Sequence, residues 1–383
     1  MTVRVVGVVV ATLVATTTLT SCSPQAPSKN AAPSARPTLT ALPDAQPAGA
    51  DELRVLGTRP GRPEVTVLGT QASGDLDIAT SHGSGTDLGT PRVGTLGDAG
   101  GRTLSYDTAP SRATQVTALS HNGRHRVWVE TSSTSMDAFD WRVWSSDGRG
   151  RTLLGDSRRL TDSVARAVGE TRPVIAGSTA YWAATDGRGS DVRQVVLGRD
   201  LDGRGEVRRL KDVELPASDG AHLLVLSSPR SQGRAGGGPA HVLSVDPETG
   251  SSDRVLTIPL DDGEQVNALA ATSTHLSWVV AGDDGRSSLV VHDRATGDEQ
   301  AVELHQPGLP TMSLQLTDTF AVWGNGSAPG DAGQYLLDLD DRDIWRLGDL
   351  PGLSVVHASD DTVAWAVEDE HGDVEYRVAR WVG

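Results

Sequence analysis

Short runs of β-type residues, separated by turns rich in Gly, Asp and Asn, occupy the chain from residue 51 onward. No stretch in this region keeps apolar residues at the three- and four-residue intervals of an amphipathic helix. Alternating or continuous apolar runs bounded by turn residues are typical of strands. The pattern therefore predicts an all-β protein.

A tryptophan that ends a short strand recurs along the chain, in segments 124–128, 178–182, 274–278, 319–323 and 362–365. Segment 221–225 matches them with Val225 in place of Trp. Successive positions are 54, 43, 53, 45 and 42 residues apart, which is the length of a four-stranded propeller blade. A hairpin with an Asp- and Gly-rich turn follows most of these strands, so each unit is predicted to contain an inner strand, the Trp strand and an outer hairpin.

Six such units begin near residue 114, and residues 51–113 leave room for one more blade and a closing strand. The sixth unit ends at Gly383 without an outer strand, and segment 53–57 or 65–68 could pair with its open edge. We therefore predict a single β-propeller of six or seven four-stranded blades, with seven favoured, closed by an N-terminal strand. We expect the recurring tryptophans to pack between blades, because Trp buries the largest apolar area. These are Trp128, Trp182, Trp278, Trp323 and Trp365.

Two outer hairpins close on Asp-x-x-Thr-Gly, at residues 246–250 and 293–297. Together with the aromatic-ended strands, this motif resembles the repeats of TolB-like and WD-like propellers. The Gly-His and Trp-Asp pairs of the WD type are missing. The resemblance implies an extracytoplasmic interaction platform and names no partner.

The first 21 residues have the organisation of a signal peptide. Arg4 precedes an apolar stretch, 5–18, that is too short to span a membrane. Leu19-Thr20-Ser21-Cys22 follows and resembles the lipobox, in which the cysteine receives diacylglycerol. Cys22 is the only cysteine of the chain, which excludes a disulfide scaffold. We predict lipid attachment at Cys22; the alternative is an ordinary secretory signal.

Residues 23–50 contain six Pro and eight Ala and little that could form a core. We predict that 22–50 is the lipidated cysteine with an extended tether and that 51–383 is the propeller domain. The protein is then anchored by lipid to the extracytoplasmic face of the cell membrane. The chain has only two lysines against 32 arginines, a bias that suggests an actinobacterial source.

The formal charge is −16, from 50 acidic and 34 basic residues. This balance argues against nucleic-acid binding, and it limits membrane contact to the lipid anchor. The charge is uneven: residues 261–383 carry 23 acidic residues and six arginines, whereas 22–260 are balanced. This acidic sector (261–383) either keeps the protein soluble or attracts a basic partner.

Catalytic and metal motifs are missing from the sequence. Neither Gly-x-Ser-x-Gly nor His-Glu-x-x-His occurs. His121 and His125 are separated by an Asn-Gly turn and would not share a helix face. The acidic turns 200–206 and 338–343 have oxygens at spacings used for calcium, but neither completes an EF-hand loop. We predict no catalytic residue, metal site or cofactor, with calcium left open.

Propellers bind ligands at the mouth of the central channel, and the inner strands offer polar candidates for its lining: Gln115, Asn267, Gln315 and His357. The predicted function is a non-enzymatic binding platform for an envelope protein or an extracellular ligand. The alternative is an extracytoplasmic hydrolase or lyase with a channel-bound calcium ion.

Overall fold

The computed structural model describes residues 39–41, 45–61, 65–80, 91–97, 101–107, 114–132, 140–162, 172–187, 192–233, 237–304, 314–326, 332–350 and 355–383. Within these ranges the chain forms thirty β-strands and one short helix. No helix in the described ranges is long and apolar enough to cross a membrane. The all-β prediction is confirmed.

Seven sheets form the seven blades. Three strands precede the first blade: β1 (Leu39–Ala41), β2 (Gln46–Pro47) and β3 (Leu53–Pro60). Blade 1 contains β4 (Val65–Thr70), β5 (Leu76–Thr80), β6 (Arg92–Leu96) and β7 (Arg102–Asp107). Blade 2 contains β8 (Gln115–His121), β9 (Arg126–Thr131), β10 (Arg142–Ser146) and β11 (Arg151–Asp156), followed by α1 (Ser157–Leu160). Blade 3 contains β12 (Val174–Ala176), β13 (Thr179–Asp186), β14 (Arg193–Asp200) and β15 (Arg208–Lys211).

The remaining blades continue in the same order, from the innermost strand outward. Blade 4 contains β16 (Glu214–Ser218), β17 (Leu223–Ser227), β18 (Ala240–Val245) and β19 (Ser252–Ile258). Blade 5 contains β20 (Gln265–Ala271), β21 (His275–Ala281), β22 (Ser287–Asp293) and β23 (Glu299–Glu303). Blade 6 contains β24 (Gln315–Leu316), β25 (Phe320–Asn325), β26 (Gly333–Asp338) and β27 (Ile344–Gly348). Blade 7 contains β28 (Val356–Ser359), β29 (Thr362–Glu368) and β30 (Val374–Trp381).

The innermost strands contact one another in turn, from β4 through β8, β12, β16, β20, β24 and β28 back to β4. This ring surrounds a central channel, and the favoured number of seven blades is confirmed. Blade 7 is completed by both ends of the chain, because β3 pairs antiparallel with β30, from Leu53 opposite Trp381 to Pro60 opposite Glu375. Of the two segments predicted as closing strands, 53–57 closes the ring, whereas 65–68 belongs to the innermost strand of blade 1.

Two short strands of the predicted tether extend the outer edges of blades 5 and 6. β1 pairs parallel with β23, and β2 pairs parallel with β27. They cover backbone groups that an outer edge strand would otherwise present to solvent. The predicted signal peptide and Cys22 lie outside the described residues.

The five recurring tryptophans lie between blades, as predicted, and each is at most 3% exposed. Each occupies the second strand of its blade and packs against the blade before it. Trp182 of blade 3, for example, packs with Val127 and Val143 of blade 2. The tryptophans are therefore interblade core residues.

The two Asp-x-x-Thr-Gly motifs are turns between third and fourth strands. Asp246 Oδ1 accepts backbone N–H groups of Glu248 and Thr249 at 2.7 and 3.0 Å. Asp293 makes the same pair of contacts one blade later. Gly250 and Gly297 have φ of +70° and +78°, which glycine adopts without strain. The backbone hydrogen bonds lower the pKa of both aspartates, so the motif is explained by turn chemistry.

Candidate functional site

The central channel contains a cavity of about 500 Å³, lined by the innermost strands of blades 2 to 7. This volume is within the range of small-ligand sites. Most lining side chains are aliphatic or small: Val174, Ile175, Leu215, Pro216, Ala217, Ala268, Leu269, Ala270, Ala271, Leu314, Leu316 and Ala358. The channel wall therefore combines an apolar surface with polar groups, among them Arg172, Asn267 and Gln315.

Polar lining residues are concentrated at one mouth of the channel. The innermost strands of all blades run in the same direction, so the turns that leave them lie at the same end of the channel. These turns and the strand ends beside them contribute Ser120, His121, Asn122, Ser218, Thr317, Ser359 and Asp360. A cavity with apolar side chains and hydrogen-bonding groups is the usual composition of a site that orients a ligand.

Leu215, on the innermost strand of blade 4, lines this cavity with an unusual backbone conformation. Its φ is +48°, a left-handed value that costs an ordinary residue about 1–2 kcal/mol. The strand is irregular here, since its pairing with β17 shifts between Glu214 and Ala217. Such strain persists only where neighbouring contacts hold it, and it concentrates at functional sites.

The residue before Leu215, Glu214, forms an ion pair with Arg230. Glu214 is 2% exposed, and its carboxylate accepts hydrogen bonds from Arg230 Nε at 3.1 Å and Nη2 at 2.8 Å. The Ser228 hydroxyl donates to the other carboxylate oxygen at 2.5 Å. Arg230 also donates to Gln265 Oε1 at 2.8 Å and so links blades 4 and 5 beside the channel.

His121 does not form a metal site with His125. Its Nε2 lies 3.4 Å from Oδ2 of the buried Asp77 of blade 1, and Arg126 Nε donates to Oδ1 of the same carboxylate at 3.3 Å. His125 is at the far end of a turn in which Asn122 Oδ1 accepts its backbone N–H. Over the described residues no group of three or more His, Cys, Asp or Glu side chains could hold a metal ion.

Two of the four polar residues predicted for the channel lining, Asn267 and Gln315, line the cavity, and the other two do not. The Gln315 side chain bridges to blade 7: Oε1 accepts the Ala358 N–H at 2.9 Å, and Nε2 lies 3.2 Å from His357 Nδ1. His357 is buried beside Gln315 and is not part of the lining. Gln115 also lies outside the lining.

In each of the two acidic turns, 200–206 and 338–343, the first aspartate accepts hydrogen bonds from neighbouring groups. Asp338 Oδ1 accepts the backbone N–H groups of Asp340 and Asp341, and Oδ2 accepts the indole N–H of buried Trp381 at 2.9 Å. Asp200 Oδ1 accepts the Thr179 hydroxyl at 3.2 Å and Arg208 Nη2 at 3.3 Å. Sequence reasoning missed the contact from Asp338 to Trp381, because it joins residues of different blades.

The structure is similar to parts of solved peptidases, one of which is a β-propeller domain. An acylaminoacyl peptidase of Pyrococcus horikoshii matches with a TM-score of 0.50 and 12% identity, over 80% of this chain and 51% of the other. An acylaminoacyl peptidase in complex with Z-Gly-Gly-Phe-chloromethyl ketone matches with a TM-score of 0.50 and 13% identity, over the same shares. The propeller domain of the Trilobed protease from Pyrococcus furiosus matches with a TM-score of 0.46 and 9% identity, over 72% of this chain and 82% of the other.

The chain thus spans about half the length of the acylaminoacyl peptidases that it matches. No family model and no curated protein matches the sequence. At these identities the likeness concerns the fold alone.

Proposed function

We propose that this protein is a cell-envelope lipoprotein whose propeller binds an extracellular ligand or an envelope protein without catalysing a reaction. One observation carries the proposal: the channel contains a cavity of about 500 Å³ in which apolar side chains alternate with polar groups that are concentrated at one mouth, and this composition suits binding. The strained Leu215 in that wall supports a functional role for the same cavity.

Attachment of the protein to the membrane through lipid at its N-terminal end is part of the same proposal. Lipid on Cys22, preceded by the signal peptide 1–21, would keep the propeller at the extracytoplasmic face of the membrane. The likeness to peptidases is a likeness of fold, and it gives no reason to propose peptidase activity for this chain.

Photocrosslinking in cells tests whether the channel mouth is a binding site. A benzoylphenylalanine placed at Ser359, half-buried in the channel lining, is compared with one at Ser252, exposed on the outer strand of blade 4. We expect an adduct at position 359 that the control position does not give. Identical adducts at both positions, or none at 359, would contradict the proposal.

A further inference from the structure

The lining of the channel cavity contains one charged side chain without a partner among the described residues. Asp360, at the polar mouth, is exposed and makes no hydrogen bond or ion pair with them. The basic side chains of the lining are already engaged, since His121 lies beside Asp77 and Arg172 has a contact of its own. Asp360 therefore offers an open carboxylate to a cation at the entrance of the cavity.

The backbone at Asp360 is one that glycine adopts more easily. Its φ is +51°, and it is the first of two turn residues between β28 and β29. The equivalent turn of blade 3 has Gly177 at this position, with a φ of +57°. Glycine takes such a value without strain, whereas blade 7 places a carboxylate there, beside the channel.

The turns around the mouth carry a net negative charge. The seven turns that follow the innermost strands contain one arginine, Arg124, and five aspartates: Asp75, Asp219, Asp318, Asp360 and Asp361. Asp219 and Asp361 pair with Arg294 and Arg380, so five carboxylates face three guanidinium groups. A cleft lined by one sign of charge raises the local concentration of the opposite ion, which at this mouth is a cation.

The cavity also has an open apolar surface on blades 4 to 7. Its side chains are half-buried, because they pack against the interblade core on one side and line the channel on the other. They are Leu215, the run from Ala268 to Ala271, Leu316 and Ala358. The amides between them are engaged, Asn267 with Arg230 and Gln315 with the Ala358 N–H. Ala358 is two residues before Asp360, so the apolar surface begins beside the carboxylate.

The longest apolar run indicates the size of the ligand. Ala268 to Ala271 are consecutive in β20, and at a rise of about 3.3 Å per residue they extend over about 10 Å. An extended chain advances about 1.2 Å per bond, so about eight carbons match this run. A lysine stem of four carbons would cover about half of it.

The type of cation follows from the side chains that line the cavity. No Phe, Tyr or Trp is among the described lining residues. Guanidinium and quaternary ammonium groups are commonly bound on aromatic rings. A primary ammonium group needs only hydrogen-bond acceptors, because it is a compact charge with three N–H donors.

We infer that the channel binds an amphiphilic primary amine, with its ammonium group on Asp360 and an aliphatic chain of about eight carbons along the wall. The inference rests on the function proposed for the channel and names the chemical class of its ligand. The ammonium donates to the Asp360 carboxylate and the neighbouring Ser359 hydroxyl. Each methylene that leaves water improves the affinity about fourfold.

Isothermal titration calorimetry of the full-length protein with n-octylammonium chloride tests this inference. n-Octanol has the same chain without the charge, and n-butylammonium has the charge on a chain of lysine length. We expect one octylammonium per protein, with a Kd of about 1 mM or lower. Octanol and butylammonium should each bind at least about tenfold more weakly, because one lacks the ion pair and the other lacks four methylenes.

Two pairs of variants locate the site. Asp360→Asn removes the charge, keeps a residue that tolerates positive φ, and should weaken octylammonium binding about tenfold. Its control Asp284→Asn makes the same change in an exposed turn at the opposite end of the propeller and should change the Kd less than about twofold. Ser359→Trp fills the mouth and should abolish binding, whereas Ser252→Trp, exposed on the outer strand of blade 4, should not.

Several outcomes would overturn the inference. Octanol that binds as tightly as octylammonium removes the role of the charge, and butylammonium that does so removes the role of the aliphatic wall. Binding that survives Asp360→Asn or Ser359→Trp places the amine elsewhere on the protein. A cellular adduct at position 359 without octylammonium binding refutes this inference alone, whereas a missing adduct contradicts the proposed function.

Discussion

Removing Arg230 should destabilise the propeller at the boundary between blades 4 and 5. In Arg230→Met the Glu214 carboxylate, 2% exposed, loses both hydrogen bonds from the guanidinium and keeps only that of Ser228. Breaking a buried ion pair costs about 3–5 kcal/mol. Because 35% of the Arg230 side chain is exposed, we expect the lower end, about 3 kcal/mol. Urea unfolding monitored by tryptophan fluorescence measures the loss.

Two further variants separate the buried charge from other effects. Arg204 and Asp202 are 3.2 Å apart and 86% and 53% exposed, so Arg204→Met should change the unfolding free energy by less than about 0.5 kcal/mol. The double variant Glu214→Gln/Arg230→Met should be more stable than Arg230→Met, because it removes the unpaired charge. The reasoning is refuted if Arg230→Met costs less than about 1 kcal/mol or if the double variant is the less stable of the two.

Cys22→Ala should move the protein from the membrane fraction to the soluble fraction; an unlipidated, soluble wild-type protein would show that the anchor is not at Cys22. Deleting residues 51–60 should lower the melting temperature of the whole domain, because an open ring exposes two strand edges, and melting within a few degrees of wild type would contradict this role of β3. Arg342 has a φ of +66° in an exposed turn, so Arg342→Gly should stabilise the protein by about 1 kcal/mol in urea unfolding, and a loss of stability would show that this turn is not strained. Burial raises the pKa of Asp219, but hydrogen bonds from the His222 N–H, Arg294 and the His222 ring outweigh it and leave the pKa below the ordinary value of an aspartate. This carboxylate therefore contributes stability above about pH 4 that is lost as the pH falls through the lowered pKa, and Asp219→Asn should be less stable than wild type at pH 7 but no less stable near pH 2.

Much of the architecture was predictable because its signals are local in sequence. The tryptophan of the second strand recurs at blade length in five of the seven blades, where it is buried against the blade before it. Aspartate and glycine mark the outer hairpins because the aspartate accepts two backbone N–H groups and the glycine adopts positive φ. The unpaired sixth unit indicated closure from the N-terminus. The concentration of acidic residues in 261–383 and the cysteine that follows the apolar stretch 5–18 could also be identified from the sequence alone.

The tertiary structure decided which of two segments closes the ring and which side chains line the cavities. Four innermost strands have irregular pairing, between Val67 and Gly69, Val116 and Ala118, Glu214 and Ala217, and Val266 and Ala268. Each irregularity changes the face to which later residues point, because side chains alternate every residue along a strand. Of the four polar residues predicted for the channel, Gln115 and His357 are not in the lining of the cavity, and Gln115 begins one of these irregular strands.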